Sequence, residues 1–332
     1  MTATSAPSLL SGVVNQVLAI KPLWNLAKGR ARQMMIKRAE SIGVPWRERV
    51  EDLRWRQANP RPSGNSAQTQ SADWEADLRA VENPKLAYPA YYTTSFHAYD
   101  EGNLGWQPAL EVEVAAQAVH AKLWPGAGAT GDARLRQSYH DVLLAQIPEA
   151  PRDIVDLGCG IGMSTTALQA LYPSAQVTGV DLSPYFLAVA KYRTDRAQHS
   201  PTPHPSTRPP IYHHAAAEAT GLPAASYDLV SVCLVFHELP QTAAQAVIQE
   251  ARRLLRPGGH LAIMDMNPQS AVLQAMPPFV LTLLKSTEPY LDEYFALDIS
   301  AAFQSAGFEA PTIVCNSPRH RTIVGRVAQS NI

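Results

Sequence analysis

The segment Asp153-Ile-Val-Asp-Leu-Gly-Cys-Gly-Ile-Gly162 constrains the fold of this chain more than any other. A short apolar run ends in three glycines at alternate positions, Gly158, Gly160 and Gly162. Glycine reaches backbone conformations closed to other residues and lets a ligand approach the main chain closely. The pattern predicts a buried strand over 153–157, a sharp turn, and a helix from about Met163 that ends before Pro173. A second apolar run, 176–180, delivers Asp181 at its C-terminal end. In a doubly wound sheet an acid at that place accepts hydrogen bonds from the two hydroxyls of a ribose. Together the two features point to a ligand that carries a nucleoside.

The glycine spacing bears on which nucleoside. The dinucleotide fingerprint is G-x-G-x-x-G, whereas here the pattern is G-x-G-x-G and Met163 falls where the third dinucleotide glycine belongs. Asp156 places a carboxylate just before the turn, which repels a pyrophosphate and suits a cation. At these residues the chain resembles the class I S-adenosylmethionine-dependent methyltransferases. Asp156-Leu-Gly-Cys-Gly-Ile-Gly162 resembles their first motif, Asp181 their ribose-binding acid, and Tyr227-Asp-Leu-Val230 the start of their fourth strand. Arg253-Leu-Leu-Arg-Pro-Gly-Gly259 resembles the turn before their fifth strand.

Four motifs in family order over roughly residues 151–328 imply an α/β fold. It is a seven-stranded Rossmann-like methyltransferase sheet with an antiparallel last strand, preceded by a mainly helical N-terminal cap. Alternating apolar runs place strands near 153–157, 176–180, 211–214, 228–233, 260–265, 310–315 and 321–327. The resemblance implies S-adenosylmethionine as cofactor. Gly158, Cys159, Gly160 and Gly162 would surround its methionine part, with Asp156 near the ammonium. Asp181 would hold the ribose, and Leu182 would lie beside the adenine. One departure stands out: where many relatives carry an acid for the adenine amine, this chain has Ala216. Backbone at Ala217, or the side chain of Glu218, is left to serve.

The 332 residues are 46% hydrophobic and 17% charged, enough for one substantial core and an accessory region. A net charge of −1 gives the chain no nucleic-acid footprint. Cys159, Cys233 and Cys315 have no metal-ligand spacing, and their odd number argues against a disulfide framework. Such thiols, and the lack of a long apolar run, fit a cytoplasmic protein.

The chain divides into a basic amphipathic segment (1–58), a polar linker (59–72), a helical and aromatic cap (73–150) and the sheet domain (151–328). The sheet domain carries an apolar acceptor-side insert at 267–297. Helices are expected over 109–123 and 133–146. In the first segment Leu9, Leu10, Val13, Val14, Val17 and Leu18 share one helical face, and Trp24, Ala27, Ala31, Met34 and Met35 form a second stripe. Between Lys21 and Arg49 stand eight basic and two acidic residues. Three readings of residues 9–39 stay open: packing on the catalytic domain, contact with an anionic membrane surface, and organelle targeting.

Methyl transfer from a sulfonium is an in-line displacement by an already activated donor, so neither a protein nucleophile nor a metal is required. Leu234-Val-Phe-His-Glu-Leu-Pro240 resembles relatives that carry a histidine after the fourth strand, which makes His237 the candidate base; simple packing of His237 in its loop is the competing reading. Asp265 ends the fifth strand in a loop-bonding role. The Tyr/Trp/Gly-rich stretch 95–106 resembles lids of lipid- and sterol-methylating enzymes, with His97, Tyr99 and Trp106 over the site. The leading expectation is methyl transfer to a small, largely apolar acceptor (a prenyl-quinone, phenolic or lipid-like molecule), on carbon or oxygen. O-methylation of a soluble metabolite and a non-catalytic cofactor-binding protein are the alternatives.

Overall fold

Each short apolar run bounded by glycine, proline or a charge becomes a strand. The strands are β1 (Asp153–Leu157), β2 (Gln176–Asp181), β3 (Ile211–His214), β4 (Tyr227–Cys233), β5 (Leu255–Met266), β6 (Thr312–Val314) and β7 (His320–Arg326). They form one sheet in the order β3-β2-β1-β4-β5-β7-β6. The first five pair in parallel, with Asp156 beside Gly179 on one side and Ser231 on the other. β7 runs antiparallel between β5 and β6. The structure is a computed structural model and describes residues 21–56, 72–95, 97, 99–199 and 208–328.

The helices are α1 (Lys21–Ser41), α2 (Trp46–Arg54), α3 (Ala72–Val81), α4 (Trp106–His120), α5 (Gly131–Gln146), α6 (Met163–Leu171) and α7 (Pro184–Gln198). After β4 come α8 (Gln241–Leu254), α9 (Ala271–Gln274), α10 (Pro278–Thr287), α11 (Leu291–Ala296) and α12 (Ile299–Ser305). Most strands fall within two residues of expectation. β5 starts five residues early because Leu255 already pairs with Tyr227 across a register irregularity. α4 starts at Trp106, three residues before the expected 109, directly after the extended Gly105. α7 has the local signals of a helix start: Ser183 Oγ accepts the Phe186 N–H at 3.2 Å, and Pro184 opens the first turn.

Parallel strands covered by helices on both faces read as unbroken apolar runs. Here Val155, Leu157, Val230 and Val232 pack on Ala244, Val247 and Ile248 of α8 and Phe303 of α12. Ile154, Val177 and Leu229 pack on the other face against Leu135, Tyr139 and Leu143 of α5 and Leu168 of α6. A third cluster forms the cap: Ile36, Ala39, Val44, Trp46, Val50 and Trp74 close on Leu110, Val114 and Ala118 of α4 and on Phe186 and Val189 of α7.

Of the expected second stripe of the N-terminal segment, Met35 packs against the cap cluster. The side of α1 that meets α4 carries Ile36 and Ala39, while Met34 is 61% exposed. The Trp24, Ala27 and Ala31 side chains, the stripe at 9–18 and nearly all of the linker at 59–72 lie outside the described residues. Among the described residues no helix is long and apolar enough to cross a membrane.

Candidate active site

The parallel strands point their C-terminal ends to one edge, where the sequence places its glycines and acids. Gly158, Gly160 and Gly162 all have positive φ, at 70°, 54° and 77°. A Cβ on Gly158 would lie 2.5 Å from Val235 Cγ2, and one on Gly162 2.5 Å from the Tyr212 hydroxyl. A Cβ on Gly160 would meet nothing closer than Phe186 at 3.7 Å. The outer glycines therefore serve packing, and Gly160 presents backbone to open space.

Asp181 ties this turn to the next helix. Its Oδ2 accepts the Gly160 N–H at 2.8 Å, and its Oδ1 accepts the Ser183 N–H at 2.7 Å and the Tyr92 hydroxyl at 3.5 Å. Burial pushes its carboxyl up to about 6 against the opposing effect of the two backbone donors. Asp156 lies beneath the turn, fully buried. Its Oδ2 accepts the Ser164 and Thr165 hydroxyls at 2.6 and 2.7 Å, and its Oδ1 has no hydrogen-bond partner. Burial raises its carboxyl, and the hydroxyls of Ser164 and Thr165 together with Arg136 work against that rise. Arg136, from α5, sequence reasoning missed. Its Nε donates to Asp132 Oδ2 at 3.1 Å, and the Asp132 carboxylate in turn accepts from His120 Nδ1 at 2.8 Å. Arg134 and Arg136 stand two residues apart in the same helix, and the sequence gives no signal for which of them turns inward.

The other expected cofactor residues surround the same edge. Cys159 is buried, and burial holds its thiol well above the ordinary value. The Leu182 carbonyl contacts His214 Nε2 at 2.9 Å. Ala216 is buried and bridges to Ala219, and Ala217 is half-buried. Glu218 Oε1 accepts the Tyr91 hydroxyl at 2.7 Å, while its Oε2 is buried with no partner. A backbone cradle at Gly160, an acid with lone pairs still available at Asp181, and orphaned carboxylate oxygens on Glu218 and Asp156 fit an adenosyl cofactor with a cationic end.

A polar cluster occupies the ends of β4 and β5. Leu234, at a φ of 60°, bends the chain after β4, and a 3-10 turn then carries His237 and Glu238. His237 Nδ1 pairs with Asp265 Oδ1 at 2.8 Å, and Asp265 Oδ2 accepts the His237 backbone N–H at 3.2 Å. His97 Nε2 lies 3.2 Å from Glu288 Oε1 and 3.6 Å from Glu238 Oε1. Burial lowers the affinity of both imidazoles for a proton, but the carboxylates outweigh it. Asp265, with Glu288 and Glu238, holds His237 at about 10, and Glu288 with Glu238 holds His97 at about 8. Burial pushes Glu238 up to about 7, with His97 and His237 moderating the rise. Asp265 does more than bond a loop: it fixes the ring of His237.

The expected lid is corrected in its membership. His97 is at the site, but the Tyr99 hydroxyl donates to Glu111 Oε2 at 2.8 Å, a carboxylate that also pairs with Arg32. Trp106 packs in the cap with ring centroids 5.4 Å from Trp74 and 5.1 Å from Tyr185. The aromatic cover comes instead from Tyr88, Tyr91 and Tyr92 at the 3-10 turn Ala90–Thr93. Tyr92 reaches Asp181 and lies within electrostatic range of Glu238. The Tyr88 hydroxyl is 3.4 Å from His214 Nε2.

Residues 155–263 match the methyltransferase domain family. The chain carries a class I S-adenosylmethionine-dependent methyltransferase domain. Among curated relatives, a trans-aconitate 2-methyltransferase of Methylobacterium radiotolerans is 37% identical over 122 residues, 36% of this chain and 41% of that protein. A ubiquinone biosynthesis O-methyltransferase of Albidiferax ferrireducens is 31% identical over 147 residues, 43% of this chain and 54% of that protein. The chain thus spans about half or less of the length of these relatives. A solved candidate O-methyltransferase from Nostoc punctiforme shares the fold with a TM-score of 0.50 at 16% identity, covering 76% of this chain and 67% of that one.

Proposed function

We propose that this protein transfers a methyl group from S-adenosylmethionine to an oxygen of a small acceptor, seated between the turn at 90–97 and the insert α10–α11. The observation that carries the reading is the His237–Asp265 pair beside His97, Glu238 and Glu288. The imidazole N–H groups at that spot can donate to an acceptor oxygen and so favour its anionic form, which is the form that attacks. When bound, the cofactor would supply an activated methyl group for in-line transfer to the acceptor oxygen, with S-adenosylhomocysteine as the leaving group.

The chain's own residues hold and orient. Asp181, the backbone at Gly160 and Glu218 Oε2 serve the adenosyl part, so that Glu218 takes over the task that the acid missing at Ala216 performs elsewhere. Asp156 holds the glycine turn through Ser164 and Thr165 and faces positive charge with its remaining oxygen. Tyr91 and Tyr92 exclude water from the cofactor edge. Tyr290, edge-on to Tyr91 at 6.3 Å, and the half-buried Leu281 and Leu284 of α10 offer an apolar wall to the rest of the acceptor. That the Albidiferax relative is named an O-methyltransferase supports that choice of atom. Ile36 and Ala39, buried on α4, support a holding role in the cap for the N-terminal helix.

The test uses full-length protein, labelled donor and a panel of phenolic and carboxylic acceptors. His237→Ala is expected to lower turnover on the order of 10²-fold and to leave S-adenosylhomocysteine affinity within threefold. Undiminished turnover in that variant overturns the assignment.

A further inference from the structure

His97, His237 and Glu288 come from three segments far apart in the chain: the turn before α4, the turn after β4, and the end of α10. Their donor atoms nevertheless lie within 4.8 Å of one another. Donors around one ion at about 2.1 Å stand roughly 3.4 Å apart in a tetrahedral site, so small side-chain movements would close the set. Two imidazoles and a carboxylate, with further positions open, form a donor set for a first-row transition metal; magnesium and calcium prefer all-oxygen sites.

Two further features point to a ligand. The Glu288 side chain is more than nine-tenths buried, its Oε1 turned to His97 at 3.2 Å, while its Oε2 has no hydrogen-bond partner. A buried carboxylate oxygen left without a donor is destabilising unless something positive fills the place. The second feature is the arrangement behind His237. Its Nδ1 is engaged by Asp265, which leaves Nε2 as the donor atom; a carboxylate behind the imidazole is the arrangement that orients metal-ligating histidines. His97 also adopts a left-handed backbone, at a φ of 53°, which is uncommon for a residue other than glycine. Such a conformation is retained where surrounding structure, or a ligand, over-determines it.

We propose that His97, His237 through Nε2, and Glu288 bind a divalent transition-metal cation, which holds the acceptor oxygen in the methyl-transfer site. The inference rests on the oxygen-acceptor reading above and supplies positive charge from a metal in place of two imidazole protons. The cation lowers the pKa of an acceptor hydroxyl, whose proton passes to solvent or to Glu238, and no redox step is involved. Because His97 N–H also donates to the Thr287 carbonyl at 3.2 Å, the metal would join the aromatic turn to α10 and close the acceptor side.

The experiment is titration of chelator-treated full-length protein with Co2+ alone, read from its visible absorption, with Mg2+ as the comparison ion. One saturable Co2+ per chain is expected, with affinity at least tenfold weaker in Glu288→Ala and in His97→Ala. S-adenosylhomocysteine affinity should stay within threefold, and Cys315→Ser should leave Co2+ binding unchanged. Glu288→Gln, which keeps the shape of the side chain, serves if the alanine variant does not fold. No saturable Co2+ binding, or equal binding in the wild type and both variants, overturns the metal. Full turnover by the metal-free protein also overturns it and leaves the oxygen-acceptor reading standing. Co2+ bound as expected, with no transfer to any oxygen acceptor, overturns that reading instead.

Discussion

Replacing Asp181 by asparagine keeps the volume of the side chain and removes one acceptor. In the native site the carboxylate accepts the Gly160 N–H at 2.8 Å and the Ser183 N–H at 2.7 Å, one on each oxygen. The amide can satisfy one of these donors and must face the other with its own NH2. A buried donor left unpaired costs about 1–3 kcal/mol, and for a domain of this size each kcal/mol lowers Tm by about 2–4 °C. The same change removes a charged acceptor from one ribose hydroxyl, worth about 1.5–3 kcal/mol, or roughly 10- to 100-fold in affinity. Isothermal titration with S-adenosylhomocysteine reads the second effect and a thermal melt the first. The carboxyl titrates at about 6 because it is buried. The charged form is the one that accepts, so wild-type affinity should fall as pH drops through about 6, while Asp181→Asn should be flat there. A folded Asp181→Asn protein that binds within twofold of wild type, with the same pH dependence, would falsify the ribose assignment.

Gly158→Ala should destabilise the domain by about 2–4 kcal/mol, from a left-handed residue and a Cβ 2.5 Å from Val235 Cγ2; a denaturant midpoint equal to wild type would contradict this. Acid stability offers a separate check at His140, which burial and Arg136 push down to about 4. The unfolded chain takes up this proton near pH 6.5 and the folded one does not, so stability is lost as pH falls from about 6.5 to 4. The difference amounts to about 3 kcal/mol. His140→Gln should make the pH dependence of unfolding shallower across that window, and an unchanged slope would remove His140 from the account.

The sheet was legible because its strands are short apolar runs punctuated by Gly, Pro and charge, and because parallel pairing buries both faces. Asp181 was legible for a related reason: a carboxylate at the end of such a run has few other places to point. The aromatic cover was read less well. Composition showed that residues 88–106 are rich in rings, but not which rings the cap would take. Trp106 is drawn into the cap by Trp74 and Tyr185, and Tyr99 by Glu111 with its partner Arg32, which leaves Tyr91 and Tyr92 over the cofactor edge. Glu288 and His97 could not be joined on paper, because their meeting depends on how α10 returns toward the turn before α4. The described part of the N-terminal stripe was legible at Met35, which packs in the cap beside Ile36 and Ala39, whereas its neighbour Met34 turns to solvent.

The central claim is that the edge formed by Gly160, Asp181 and Glu218 binds an adenosyl sulfonium cofactor even though Ala216 lacks the usual acid. Calorimetric titration of the full-length protein with S-adenosylhomocysteine tests it most directly. One site per chain with micromolar affinity, weakened at least tenfold in Asp181→Asn, is the predicted result. A folded sample that shows no heat of binding, and no protection of its melting temperature by the ligand, would contradict the account.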